Sequence, residues 1–102
     1  MTDDRVKGIE LYNAAFCGDE KKVLKILSER IDLVNWFHKD DGTTPLHVAC
    51  ANGHEKVVEI LIKNGSNVNL ARTTGATPLY VACEEGHEKV VEILIKNGSN
   101  VN

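Results

Sequence analysis

An internal repeat with a fixed period of thirty-three residues constrains this chain more than any other feature. The segment Gly42–Asn69 recurs as Gly75–Asn102, and the two copies differ at only four aligned positions. From Gly53 and from Gly86 onward the copies are identical. A period of about 20–50 residues is typical of stacked arrays, in which each unit buries its apolar face against its neighbours. The sequence therefore predicts a repeat architecture before any single residue is given a role.

Each copy contains the signals of two short helices. Thr44 suits an N-cap and Pro45 suits the first helical position, so we predict a first helix that runs to about Asn52. Gly53 then allows a turn. A second helix is predicted from about Glu55 to Lys63, and an extended connection with a turn leads from it into the next copy.

The segment Thr44–Ala49 resembles the signature T-P-L-H-x-A of the ankyrin repeat, whose usual period is about 33 residues. Gly53-His54 and Asn64-Gly65 fit the same family pattern, and the resemblance covers nearly the whole chain. It implies an all-α repeat solenoid, in which stacked helix–turn–helix units are joined by β-turn or finger-like connections. It also implies protein–protein recognition as the function.

Three units are predicted within one domain of residues 1–102, over about 8–38, 39–71 and 72–102. The first unit carries Asn13, Lys22 and Lys25 where the second has apolar residues. Because a terminal repeat needs a polar outer face, we predict that the first unit is an N-terminal cap with these side chains in water. Residues 1–7 are polar and are expected to fray.

The third unit shows no such cap. Its Val91, Leu94 and Ile95 are unchanged from the internal unit, so we expect an exposed apolar patch at this end. Exposed apolar patches usually mark contacts. We therefore expect the chain to self-associate through its uncapped third unit, or to fray there.

Composition excludes several classes of partner. The 102 residues have a formal net charge of −3, which gives no basic footprint for nucleic acid. No apolar run is long enough for a membrane span, and the acidic N-terminal segment lacks the apolar core of a signal peptide. We expect an intracellular protein of the cytoplasm, with the nucleus also open, that binds a partner protein and needs no cofactor or metal.

Cysteine and histidine residues offer candidate chemistry. Cys50 and Cys83 hold the same position in neighbouring units, where packed helices lie too far apart for a disulfide, so we predict small buried thiols. His54 and His87 lack partners at a zinc-like spacing, and the resemblance implies a structural role for them. An enzyme would need a pair such as Cys17 with His54, or Cys50 with His47, but no third orienting residue is evident.

The resemblance also bears on two sets of polar residues. In ankyrin repeats the histidine at His47 bonds the preceding threonine and the neighbouring connection, but Tyr12 and Tyr80 replace it in the outer units. This departure leaves the hydrogen-bonded link between units two and three in question. Three asparagines resemble a site of asparaginyl hydroxylation, without its usual acidic residue, and the simpler expectation is that they fix turns: Asn35, Asn69 and Asn102.

The near-identical units differ mainly at the ends of their first helices and in the connections, and the resemblance implies that these positions line a concave binding groove. Phe16 and Phe37 replace alanines and are expected to be exposed, whereas Trp36 is either packed or exposed. The acidic Glu84 and Glu85 suit a basic partner. The predicted partner-binding residues are Phe16, Trp36, Phe37, Asp40, Asp41, Thr43, Ala51, Asn52, Thr73, Thr74, Ala76, Glu84 and Glu85.

One alternative to a binding module stays open. The chain would then be a structural or spacer fragment of a longer ankyrin array with no partner of its own. The unchanged second helices favour this alternative, because a surface that is repeated without change carries little specificity.

Overall fold

A computed structural model of the chain describes residues 3–100, and it confirms an all-α stack of helix pairs. No β-strand occurs among these residues, and a short 3₁₀ turn covers Ile31–Leu33. The helices pair in sequence, and corresponding helices of successive units pack side by side. The six helices are α1 (Asp3–Cys17), α2 (Glu20–Glu29), α3 (Pro45–Ala51), α4 (Glu55–Lys63), α5 (Pro78–Glu84) and α6 (Glu88–Lys96).

The predicted signals set the helix boundaries of the second unit. Thr44 Oγ1 accepts the N–H of His47 at 3.2 Å, and the N–H of Thr44 donates to His47 Nδ1 at 3.1 Å. Pro45 occupies the first turn of α3, and Asn52 is its C-cap. The second helix, α4, runs from Glu55 to Lys63 as predicted. Local sequence therefore determines where these helices start and stop.

A glycine with positive φ joins the two helices of each unit. The φ angles are +75° at Gly18, +69° at Gly53 and +76° at Gly86. Only glycine adopts this region without strain, so the turn forms at this point in every unit. The turn brings the second helix back alongside the first.

The predicted exposure of three polar side chains in the first unit is confirmed. Asn13, Lys22 and Lys25 are all exposed, whereas Val57, which corresponds to Lys22, is fully buried against its neighbour. The expectation that residues 1–7 fray is wrong for residues 3–7, which form the start of α1. The guanidinium of Arg30 lies 2.6 Å from the Asp4 carboxylate and ties this first turn to the rest of the unit.

A continuous core runs along the stack axis through all three units. Its largest members are leucines at repeated positions, including Leu11, Leu46 and Leu61. The expectation of an exposed Leu94 is wrong, because this side chain is fully buried and belongs to the continuous core. Only part of the predicted apolar patch remains at the end of unit three: Ile95 is 49% exposed and Val91 is half-buried.

Candidate protein-binding surface

Histidines at the start of α4 and α6 hold neighbouring units together. His54 Nε2 lies 2.9 Å from the carbonyl oxygen of Phe16, and His87 Nε2 lies 2.9 Å from that of Ala51. Each imidazole also covers the turn glycine of the preceding unit, Gly18 or Gly53. These histidines are structural, as the resemblance implies.

A second link between units is made by asparagine side chains. Asn35 Nδ2 donates to the carbonyl of Gly65 at 3.1 Å, and Asn35 Oδ1 accepts the N–H of Asn67 at 2.7 Å. Asn69 repeats this pattern on Gly98 and Asn100 in the third unit. The asparagines therefore fix the next unit as well as a turn. Asn102, the third predicted member, lies outside the described residues.

His47 joins the second unit to the connection that follows it. Its Nδ1 accepts the N–H of Thr44, so the neutral ring carries its proton on Nε2, which donates to the carbonyl of Ala76 at 3.1 Å. Burial lowers the pKa of this imidazole. The link between units two and three, which Tyr80 put in question, is intact because His47 supplies it. In unit three Thr77 caps α5, because its hydroxyl oxygen accepts the backbone N–H of Tyr80 at 3.2 Å.

Tyr12 makes an aromatic cluster with the first connection. Its ring meets that of His38 edge-on at a centroid distance of 4.6 Å, and Trp36 lies 4.9 Å from His38. The indole also packs closely over Gly8 in α1. Burial is the main cause of the raised pKa of the Tyr12 hydroxyl, and Asp41 adds to it. The open question over Trp36 is therefore resolved, because its ring is packed.

The ends of the first helices form one continuous row along the stack. Phe16 is 52% exposed, Ala51 is half-buried and Glu84 is exposed, and these three hold the same position in successive units. Asn52 Nδ2 reaches the carbonyl of Phe16 at 3.4 Å and so joins the first two members of the row. Phe37, in the first connection, is 56% exposed. The expected exposure of the two phenylalanines is confirmed.

The two connections contact each other along the same side of the stack. The carbonyl of Asp41 accepts the N–H of Thr73 at 2.9 Å, and the side chain of Arg72 lies 3.8 Å from the Asp41 carboxylate. The N–H of Thr43 donates to that carboxylate at 3.0 Å and is the main cause of its lowered pKa. Asp40 is exposed beside it. Through these contacts Asp41 stabilises the two connections against each other.

A cleft of about 420 Å³ lies between the second connection and α5. It brings together Thr74, Ala76 and Glu84 from the predicted set. Sequence comparison did not assign a binding role to four other residues that line this cleft: Arg72, Gly75, Tyr80 and Val81. Tyr80 is 58% exposed, and its difference from His47 was the signal that could have identified it.

Thr43 is buried and so does not belong to the exposed surface, which corrects the predicted set of partner-binding residues. It is 5% exposed, and its backbone N–H is already bonded to the Asp41 carboxylate. Residue differences between copies also occur at buried positions, because packing against different neighbours can change them. The groove surface is the predicted set without buried Thr43, packed Trp36 and hydrogen-bonded Asp41. It consists of the following residues: Phe16, Phe37, Asp40, Ala51, Asn52, Thr73, Thr74, Ala76, Glu84 and Glu85.

Comparison with known proteins identifies the family. A family model described as ankyrin repeats, in three copies, matches residues 11–102. The chain belongs to the ankyrin repeat family. Human ankyrin repeat domain-containing protein 40 is 36% identical over 63 residues, which are 62% of this chain and 17% of that protein. Human ankyrin repeat domain-containing protein 7 is 46% identical over 54 residues, 53% of this chain and 21% of that protein.

A third relative carries other domains as well. The Arf-GAP with ANK repeat and PH domain-containing protein cnt-1 of Caenorhabditis elegans is 39% identical over 57 residues, which are 56% of this chain and 6% of that protein. The chain therefore spans only a small part of the length of these relatives. Ankyrin repeats are generally protein–protein interaction modules. No helix among residues 3–100 is long and apolar enough to cross a bilayer.

The cysteine–histidine pairs considered for an enzyme are poorly arranged for thiol catalysis in this ankyrin domain. Cys50 is buried as predicted, and burial raises its pKa to about 12, so it is a neutral thiol at physiological pH. Both ring nitrogens of His47 are engaged, and His54 is bonded to a backbone carbonyl. Cys17 and Cys83 are exposed, so the prediction of a buried thiol is wrong for Cys83. The family is generally non-enzymatic.

Another cleft lies among the second helices of the described residues. It has a volume of about 630 Å³ and an apolar floor formed by Ile60, Ile62 and Ile93. Lys56 and Lys63 stand on its rim. Because α4 and α6 have the same sequence, this cleft offers little that could distinguish one partner from another.

Proposed function

We propose that this ankyrin repeat domain binds a partner protein through the concave groove formed by its first helices and connections. The observation that carries the proposal is the cleft between the second connection and α5. Its lining contains Thr74, Ala76 and Glu84, at positions where two otherwise near-identical units differ. A surface that varies within an invariant scaffold is where specificity resides.

The chemistry of the groove surface defines the partner. Phe16 and Phe37 present large apolar side chains in a polar surround, and aromatic residues of this kind dominate interface energies. Glu84 and Glu85 add exposed carboxylates at the other end of the row. The partner is therefore a protein segment with an apolar anchor and a basic patch, in agreement with electrostatic complementarity.

The experiment selects ligands from a displayed library of protein-derived peptides on the full chain and measures the affinity of the enriched sequences by calorimetry. Substituting Phe16, Phe37, Glu84 and Glu85 by alanine is expected to abolish binding. The control substitutes Lys56 and Lys89, which are also exposed but lie on the second helices. Loss of binding in the control, with binding intact in the groove variant, would contradict the groove assignment.

The spacer function is the second candidate, and the identity of α4 and α6 favours it. A spacer presents the same outer surface in each unit and needs only to stack. If the chain is a spacer, the peptide selection is expected to enrich the same sequences on the native chain and on the four-alanine variant.

A further inference from the structure

The second helices form a basic side on an otherwise acidic protein. Together α2, α4 and α6 carry seven lysines and six glutamates, whereas the rest of the chain carries five basic and nine acidic residues. The second helices thus have a formal charge of +1, and the remainder has −4. Because interfaces pair surfaces of opposite charge, a partner of the second helices is expected to be acidic, unlike the partner of the groove surface.

The cleft of about 630 Å³ among these helices has an apolar floor. Ile60 and Ile62 from α4 and Ile93 from α6 form this floor. Each of the three isoleucines is half-buried, so part of its side chain remains in contact with water. A partner that covers this apolar surface gains free energy from its burial.

Three ammonium groups surround the floor. Lys56, Lys63 and Lys96 line the cleft, and all three residues are exposed. None of them forms an ion pair with a carboxylate of residues 3–100. Glu20 and Glu59 also line the cleft, so its lining has one more positive than negative charge. Because Lys63 and Lys96 occupy the last turns of α4 and α6, two ammonium groups lie at the same end of the cleft.

The first junction of the stack lacks this apolar floor. Lys25 of α2 holds the position of Ile60 and Ile93, and it is exposed. A charged side chain at this position opposes the burial of an apolar partner. Within the described residues, the sequence therefore provides a floor of this kind only between α4 and α6, which makes one site per chain.

We propose that this cleft binds an amphipathic helix of a partner protein, with its apolar stripe on the isoleucine floor and its carboxylates at Lys63 and Lys96. The face of α4 from Lys56 to Lys63 is about 10 Å long, which matches two turns of such a helix. A groove accepts an amphipathic helix through side chains at i, i+3, i+4 and i+7. Because α4 and α6 have the same sequence, the cleft recognises this class of helix rather than one sequence.

An anionic membrane fits the same side less well. A bilayer presents a broad surface, whereas the isoleucine floor lies between two helices. Exposed carboxylates alternate with the lysines on α4 and α6 and would face the anionic headgroups: Glu55, Glu59, Glu88 and Glu92. A single helix, about 10 Å in diameter, enters the cleft without covering all of these carboxylates.

The test uses a stapled helical peptide of about 14 residues, with leucines at i, i+3, i+4 and i+7 and glutamates beside them. Its twin has lysines in place of the glutamates. Fluorescence anisotropy on the full chain is expected to show that the acidic peptide binds at least about tenfold more tightly than its twin. The methyl NMR signals of Ile60 and Ile93 are expected to shift, whereas the exposed Ile31 in unit one stays unchanged.

A charge-reversed variant carries Lys63→Glu and Lys96→Glu. It is expected to bind the acidic peptide about tenfold more weakly than the native chain and to bind the lysine twin more tightly. The matched control carries Lys21→Glu and Lys22→Glu, which change the net charge equally at exposed positions outside the cleft lining. Its affinity is expected to stay within about twofold of the native chain at physiological salt. Circular dichroism confirms that both variants are folded.

Several outcomes would overturn the proposal. Equal affinity for the two peptides would remove the charge argument, and unshifted methyl signals of Ile60 and Ile93 would remove the site. Because the cleft and the groove surface share no residue, the four-alanine groove variant is expected to bind the acidic peptide normally. Loss of binding in that variant would place the peptide in the groove instead.

Other occupants give distinct results. Phosphatidylserine vesicles that sediment the native chain but not the charge-reversed variant would identify a membrane as the occupant. A native dimer in analytical ultracentrifugation that the same variant dissociates would identify a second copy of the chain. Either result would overturn the assignment of a partner helix.

Discussion

The imidazole of His87 lies on Gly53, and a Cβ added to that glycine would stand 2.7 Å from His87 Nδ1. The two residues belong to different units, and the contact forms only because the glycine has no side chain. The same pair recurs one unit earlier, between Gly18 and His54. A single backbone position thus serves both the turn within one unit and the junction with the next.

The first prediction separates these two roles of glycine. Gly53 and Gly86 both have a positive φ angle, so alanine at either position is expected to strain the backbone. This strain lowers the free energy of unfolding by about 1–2 kcal/mol. Gly53→Ala is expected to lose about 1–3 kcal/mol more, because its methyl group displaces the imidazole of His87. Urea unfolding measures both variants. Equal losses would show that the ring contact contributes nothing.

The second prediction compares the middle of the stack with its capped end. Leu61 is fully buried in unit two, so Leu61→Ala is expected to lower the free energy of unfolding by about 2–5 kcal/mol. Lys25 is exposed, so Lys25→Ala is expected to stay within about 0.5 kcal/mol of the native chain. Urea titration that found the two equal would overturn the assignment of the faces.

The third prediction concerns pH. Burial lowers the pKa of His47 from its ordinary value of 6.5, so the unfolded chain takes up a proton at a higher pH than the folded chain. The stability gained from the neutral ring is complete above about pH 6.5 and is lost as the pH falls toward the lower folded pKa. His47→Tyr, the residue that unit three uses, is expected to flatten the fall in unfolding midpoint between about pH 7 and 5. An unchanged slope would contradict this role of His47.

The fourth prediction uses two helices of identical sequence as mutual controls. α4 and α6 are both EKVVEILIK, so their intrinsic amide exchange rates match. Only α4 is covered on both sides within the described chain, and α6 is therefore expected to exchange faster and to fray first. Hydrogen-exchange mass spectrometry measures this difference, with light scattering to establish the monomer. Equal protection in the two helices would show that the end of unit three is already covered.

Local features of the fold could be predicted from the sequence. Thr44 and Pro45 start α3, and Gly53 forms the turn that follows this helix. The helix α4 has its predicted bounds. These features could be predicted because capping residues and glycine act on the backbone within a few residues. The exposure of Lys22 and Lys25 could also be predicted, because these residues interrupt an apolar pattern that the other units keep.

Features that depend on neighbouring units could not be predicted in the same way. Cys50 and Cys83 are identical in local sequence, yet one is buried and the other is exposed, because only Cys50 has a unit on its far side. The bonds of Asn35 likewise reach backbone groups about thirty residues away, which a turn assignment within one unit does not consider. For the groove surface, comparing copies located variable positions but did not separate exposed Glu84 from buried Thr43.

The junctions between units have a direction, and this has a consequence for assembly. A histidine of the later unit always donates back to a carbonyl of the earlier one, whereas an asparagine of the earlier unit always reaches forward. Such a head-to-tail contact has no two-fold symmetry. Both junctions within the described stack therefore have the same polarity, and each second-helix histidine depends on the unit that comes before it in the chain.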